Sequence, residues 1–170
     1  MSIGTVKRRG FSLAEVAMAS AVLAVGASAV LGVVSQVGAR RADSVARSTG
    51  VLLASDLLTR IAILPLADPQ TGVIAAGLDA GESAVTDFDD ATDFAGYNEP
   101  TIVDAGGAER AGMEGFTREA EIEWLLDASG SSVSLSPTSA ARITVIARWR
   151  GKPVAKLTTI RSAAWDGGKP

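Results

Sequence analysis

Residues 9–15, Arg9-Gly10-Phe11-Ser12-Leu13-Ala14-Glu15, lead into Val16 to Ala39, 24 residues without a charged side chain. At 1.5 Å per residue, about 20 helical residues cross a bilayer core of roughly 30 Å, so this run is long enough to span. Lys7, Arg8 and Arg9 give the first ten residues a charge of +3. Positive residues beside a span stay on the cytoplasmic side, which leaves residues 1–10 inside and sends the rest across. Glu15 stands at the head of the apolar run, where an ionisable group is costly and calls for a partner. It also falls in the first helical turn, where the helix dipole favours a negative charge. The run holds Gly26, Gly32, Gly38, Ser20, Ser28 and Ser35, small residues that let neighbouring helices approach closely.

The helical pattern continues beyond the apolar run. Arg40 and Arg41 mark an interface, and Leu53, Leu57, Ile61 and Leu64 then recur at helical spacing. Arg47, Ser48, Asp56 and Arg60 occupy the other faces. Pro65 ends the pattern, because proline cannot continue the hydrogen-bond ladder. One helix is therefore expected from about Ser12 to Leu64, with a membrane-spanning half and an amphipathic half.

Residues 65–115 read as loop: Asp68-Pro69, Gly72, Gly77, Gly81, the acidic run Asp87 to Asp93, Asn98-Glu99-Pro100 and Gly106-Gly107. A short strand is expected around Thr101 to Val103. From Phe116, Ala120, Ile122 and Trp124 alternate with Glu119, Glu121 and Glu123, a strand with one wet face. Val133 to Leu135 is a possible short strand. Arg142 to Arg150 and Pro153 to Arg161 form two further strands, with the hairpin turn expected at Gly151-Lys152. Asp166 to Pro170 reads as a frayed tail. The predicted fold class is α+β, a long N-terminal helix packed on an antiparallel sheet of three or four strands.

The leader Lys7-Arg8-Arg9-Gly10, followed by Phe11-Ser12-Leu13-Ala14-Glu15-Val16, resembles the cleavage site of type IV pilins and type II secretion pseudopilins. The likeness covers about a dozen residues, and the following helix extends it to about residue 64. Ala14 stands where the common pattern has Leu or Ile. The resemblance implies a cytoplasmic leader (1–10), a transmembrane and polymerisation helix (11–39), an amphipathic half (40–64) and an extracytoplasmic pilin-like domain (65–170). It also implies cleavage after Gly10 by a prepilin peptidase and N-methylation of Phe11. Glu15 would pair with the free amine at Phe11 of a neighbouring subunit during assembly. The expected function is that of a structural subunit, a minor pilin or pseudopilin, and not of an enzyme. Implied partners are other pilin or pseudopilin subunits, the peptidase, an inner-membrane assembly platform and membrane lipid. The implied location is the bacterial inner membrane, N-terminus in the cytoplasm and C-terminal domain in the periplasm, and then the pilus or pseudopilus.

Rival readings remain open at this stage. Ala27-Ser28-Ala29 fits the small-residue cleavage pattern of a secretory signal, which would release an exported periplasmic binding domain. A membrane-tethered binding domain with no polymer role is a second rival. Arg148-Trp149-Arg150 mixes cations with an aromatic, as single-strand DNA binders do, which raises a DNA-binding minor pilin. Against nucleic acid, residues 11–170 carry 13 basic and 19 acidic side chains.

The chain has no cysteine and no histidine. That excludes catalysis by Ser-His-Asp or Cys-His arrangements, and removes the nitrogen and sulfur ligands that zinc sites favour. A Ser-Lys dyad has no supporting spacing. In the run Asp87-Phe88-Asp89-Asp90-Ala91-Thr92-Asp93, Asp87, Asp89, Asp90 and Asp93 are candidate ligands for calcium, a hard cation that takes oxygen donors. The run lacks the glycine and closing glutamate of an EF-hand loop, and a solvated acidic loop is the simpler reading.

Overall fold

The computed structural model describes residues 12–79, 81–104, 108–127, 130 and 132–166. The chain divides into two units at Ser44/Val45. A single helix, α1 (Leu13–Ile63), supplies residues 13–44 to the first unit and residues 45–63 to the second.

In the first unit every described residue is exposed. The helix is long and apolar enough to cross a membrane. Its serines bond within the helix: Ser28 Oγ donates to the Ala24 and Val25 carbonyls at 2.9 Å, and Ser35 Oγ to the Leu31 carbonyl at 2.9 Å. Such internal pairing lets a hydroxyl sit where no water reaches. The helix runs unbroken through residues 27–29.

The second unit is an α+β arrangement. Three long strands, β2 (Phe116–Leu125), β4 (Ala140–Trp149) and β5 (Lys152–Ser162), pair antiparallel in that order. Two short strands, β1 (Asn98–Glu99) and β3 (Val133–Ser134), both pair with β2, completing a five-stranded sheet. The alternation read along residues 119–124 is the observed register, with Ala120 opposite Val145 and Ile122 opposite Ile143. Glu123 faces Arg142 directly, and their side chains bond at 2.9 Å. The expected strand at Thr101 to Val103 is absent; only an isolated bridge joins Val103 to Glu109, and β1 lies just before Pro100.

The hairpin turn falls one residue earlier than expected, at Arg150-Gly151, where both residues have positive φ (51° and 77°). Two such residues match the right-handed twist of the flanking strands, whereas Lys152 is already paired with Trp149. The β4–β5 register shifts between Ala147 and Arg148, so that Pro153 sits beside a bulge on the sheet's outer strand.

The core joins Leu53, Ala54, Leu57 and Ile61 of α1 with Phe94, Ile102 and the inward residues of β2 and β4. Ala46, Gly50 and Ala54 make a row of small side chains four residues apart on the buried face. Close approach is the reason at Gly50: a Cβ built there would lie 2.5 Å from Val154 Cγ2 of β5. At the helix end, Arg161 donates to the Leu64 carbonyl at 2.8 Å, and the Leu66 N–H donates to Asp166 Oδ2 at 2.8 Å. Asp166 also binds Arg161 at 2.6 Å. The tail reading therefore fails at Asp166, which is tied to the helix exit and closes a 3-10 turn over Ala163–Asp166; residues 167–170 lie outside the described residues.

Candidate functional site

Two regions carry the residues singled out by sequence. The first is the head of α1. The Ser12 N–H donates to Glu15 Oε2 at 2.8 Å, and the Glu15 N–H donates to Ser12 Oγ at 3.2 Å. This reciprocal pair is a capping box of the Ser-x-x-Glu form, and it satisfies two N–H groups that the helix cannot. In lipid each unsatisfied group would cost several kcal/mol. One carboxylate oxygen makes the cap, and a carboxylate has about four acceptor positions, so the group retains capacity for a second donor. Gly10 and Phe11, the expected cleavage and methylation positions, lie outside the described residues.

The second region is the connection from α1 to β1, residues 64–97. Arg60 pins it to the helix through the Val85 carbonyl at 2.6 Å. Phe88, Phe94 and Tyr97 meet edge to face, with ring centroids 4.9–6.1 Å apart. On this support the acidic residues fold into interlocking turns. Asp90 Oδ1 accepts from the Thr92 N–H at 2.6 Å and from Thr92 Oγ1 at 2.7 Å, just ahead of a 3-10 turn over Thr92–Phe94. Asp93 Oδ2 accepts from the Asp89 and Asp90 N–H groups, each at 3.1 Å. Asp89 Oδ2 accepts from Gln70 Nε2.

Of the four candidate ligands, Asp89, Asp90 and Asp93 are brought together and Asp87 is not. Asp87 Oδ2 instead accepts from the Ser83 and Ala84 N–H groups at 3.3 and 3.0 Å. Two residues outside the acidic run take its place. Carboxylate oxygens of Asp79, Asp90 and Asp93 lie within 4.8 Å of one another, as do those of Glu82, Asp89 and Asp93. An open cleft of about 610 Å³ adjoins them, lined in part by Asp68, Thr71, Asp79, Glu82 and Asp90. No Lys or Arg occurs between Arg60 and Arg110, so this stretch supplies no cation of its own to offset the cluster.

The crowding disfavours ionisation. Burial pushes the Asp79 carboxyl above the usual range, and the charge of Asp68 adds to it. Burial likewise raises Asp90 and Asp93, the latter with a further push from Glu82. Asp68 is held low, chiefly by its bond from Thr71.

The cations of the DNA reading are engaged within the chain. Arg148 bonds Glu119 at 2.6 Å, and the Arg150 guanidinium lies 4.6 Å from the centre of the Trp149 ring. Trp149 in turn packs on Phe116. No protein-family model, curated protein or solved structure matches this chain.

Proposed function

We propose that the chain is a structural subunit of minor-pilin or pseudopilin type, which anchors in a membrane and assembles through the first half of α1. The observation that carries this reading is a helix whose described residues 12–44 are all exposed, yet which opens on a self-capped carboxylate. Large apolar side chains such as Leu23, Val25 and Leu31, each two-thirds exposed or more, need lipid or neighbouring helices to cover them. Internally bonded serines and helical glycines suit both surroundings, and so suit a subunit that leaves lipid for a bundle. Glu15 would then cap its own helix and receive the Phe11 amine of a neighbour after cleavage at Gly10. The second unit would lie outside the membrane. The mechanism is mechanical, with no reaction catalysed.

The mass of the mature N-terminus tests the reading. A chain starting at methylated Phe11 supports it. A start at Val30 would favour secretion of a free domain, and an intact start at Met1 or Ser2 a plain anchor.

A further inference from the structure

We propose that the β4–β5 turn, Trp149-Arg150-Gly151-Lys152, and Arg47 of α1 form a contact surface for anionic phospholipid headgroups. Such a contact rests on the membrane anchoring proposed above, and not on assembly. Within the second unit, β5 runs alongside α1. A Cβ built at Gly50 would lie 2.5 Å from Val154 Cγ2 near the start of β5, and Arg161 near its end donates to the Leu64 carbonyl at 2.8 Å. The turn at Arg150-Gly151 therefore lies at the end of the unit where the chain enters, at Val45. The uncharged run ends at Ala39, six residues before Val45. Six residues reach about 20 Å at full extension, so the chain itself keeps this end of the unit close to the surface from which the run emerges.

The side chains at this end suit charged headgroups. Arg47, Arg150 and Lys152 are exposed, and none of them forms a salt bridge among the described residues. Arg148 adds no free charge, because Glu119 pairs with it. Glu114 is the acid beside the turn, next to the Gly115 carbonyl that accepts from the Arg150 N–H at 2.8 Å; its carboxylate accepts from the Gly112 N–H at 3.0 Å. Trp149 is half-buried, with the Arg150 guanidinium 4.6 Å from its ring centre. Stacking of this kind orients a cation without neutralising it. Tryptophan beside lysine or arginine is the composition found where proteins meet the headgroup layer. Each such cation near an anionic surface strengthens attraction about fivefold, and a tether makes even a weak contact effective. Nucleic acid, the other polyanion, gains nothing from the tether and meets a chain with an acidic balance.

The test uses the full chain reconstituted into vesicles of phosphatidylcholine, alone or with about one-third phosphatidylglycerol, each containing a lipid brominated near the headgroup end of its acyl chains. Flotation with the vesicles reads anchoring. Quenching of the fluorescence that Trp149→Phe removes reads the contact. The chain should float with both vesicles, and Trp149 should be quenched about twofold more, or greater, with phosphatidylglycerol, an excess that about 0.5 M salt abolishes. Arg47→Gln combined with Lys152→Gln changes two exposed side chains and leaves the Arg150–Trp149 stack in place. That pair should float as wild type does and lose most of the excess quenching. Should Trp149→Phe fail to fold, total tryptophan quenching compared between wild type and the glutamine pair decides the same question. A chain that floats with equal quenching in both vesicles overturns the proposal alone, as does an excess that survives salt or the glutamine pair. A chain that does not float overturns the anchoring and the proposal together. Binding of a single-stranded oligonucleotide that the glutamine pair loses, with no response to phosphatidylglycerol, would assign the surface to nucleic acid and overturn it.

Discussion

Arg118 Nε donates to Glu99 Oε2 at 2.6 Å, with both side chains less than a tenth exposed. The guanidinium also reaches Asp56 on α1 at 2.8 Å and the Leu53 carbonyl at 3.2 Å. One buried cation thus links α1, β1 and β2. Removing it while Glu99 remains strands a buried charge, which costs about 3–5 kcal/mol. Arg118→Met should destabilise the second unit by that order. The double variant Arg118→Met with Glu99→Gln should recover most of the loss, since no buried charge is then unpaired. Urea denaturation followed by tryptophan fluorescence reads both; equal destabilisation by the single and double variants would count against the pairing.

Gly50→Ala brings two effects into opposition. Alanine favours helix by about 1 kcal/mol over glycine. Overpacking against a stiff, branched side chain costs about 1–3 kcal/mol, and Val154 Cγ2 stands only 2.5 Å from the added carbon. A net destabilisation of about 1 kcal/mol is expected. Gly50→Ala combined with Val154→Ala should relieve the clash, so the two changes should couple strongly in a double-mutant cycle.

Glu15→Gln separates capping from charge. Glutamine can complete a capping box with Ser12 but carries no charge. If pairing with a neighbour's amine is the role, Glu15→Gln and Glu15→Val both insert into membrane and are cleaved, yet neither enters the fibre. Recovery of incorporation by Glu15→Gln alone would assign the residue to capping. Counting subunits in sheared fibres by immunoblot gives the readout.

The acidic connection predicts a pH response with a definite sign. Asp79, Asp90 and Asp93 are raised in the folded chain. An acid so shifted contributes stability that is present below its unfolded pKa, about 4, and lost as pH rises through the folded value. Asp68 and Asp87 are lowered and act in the opposite direction, losing their contribution as pH falls. The difference between wild type and Asp79→Asn isolates one site. Asp79→Asn should melt higher than wild type at pH 7, and the gap should close below about pH 4.

The parts of the fold written locally were legible. The stripe Leu53, Leu57, Ile61 and the stop at Pro65 located α1 to within a residue at each end, Leu13 and Ile63. Alternation located β2, and the β-rich runs on either side of Gly151 located β4 and β5. What stayed hidden depended on residues distant in sequence. Arg118 occupies an inward position of β2, where a charge reads as out of place until Glu99, 19 residues earlier, is brought beside it. Asn98 and Glu99 are poor strand formers, and only the edge of β2 makes them a strand. Asp166 resembled a loose end until the Leu66 N–H, 100 residues earlier, met it. In the acidic cluster the run from Asp87 to Asp93 supplied three members. Asp79 and Glu82 were invisible because their place is set by how residues 68–82 fold back, and Asp87 was included only because it lies in the run.

Pro153 has consequences beyond its own turn. It stands on the outer strand, offers no N–H, and adjoins a bulge between two exposed lysines, Lys152 and Lys156. Those are features by which proteins discourage a foreign strand from zipping onto an open rim. Crowded side by side, copies of this domain would resist amyloid-like stacking along β5, and any ordered array they form must be organised by other surfaces.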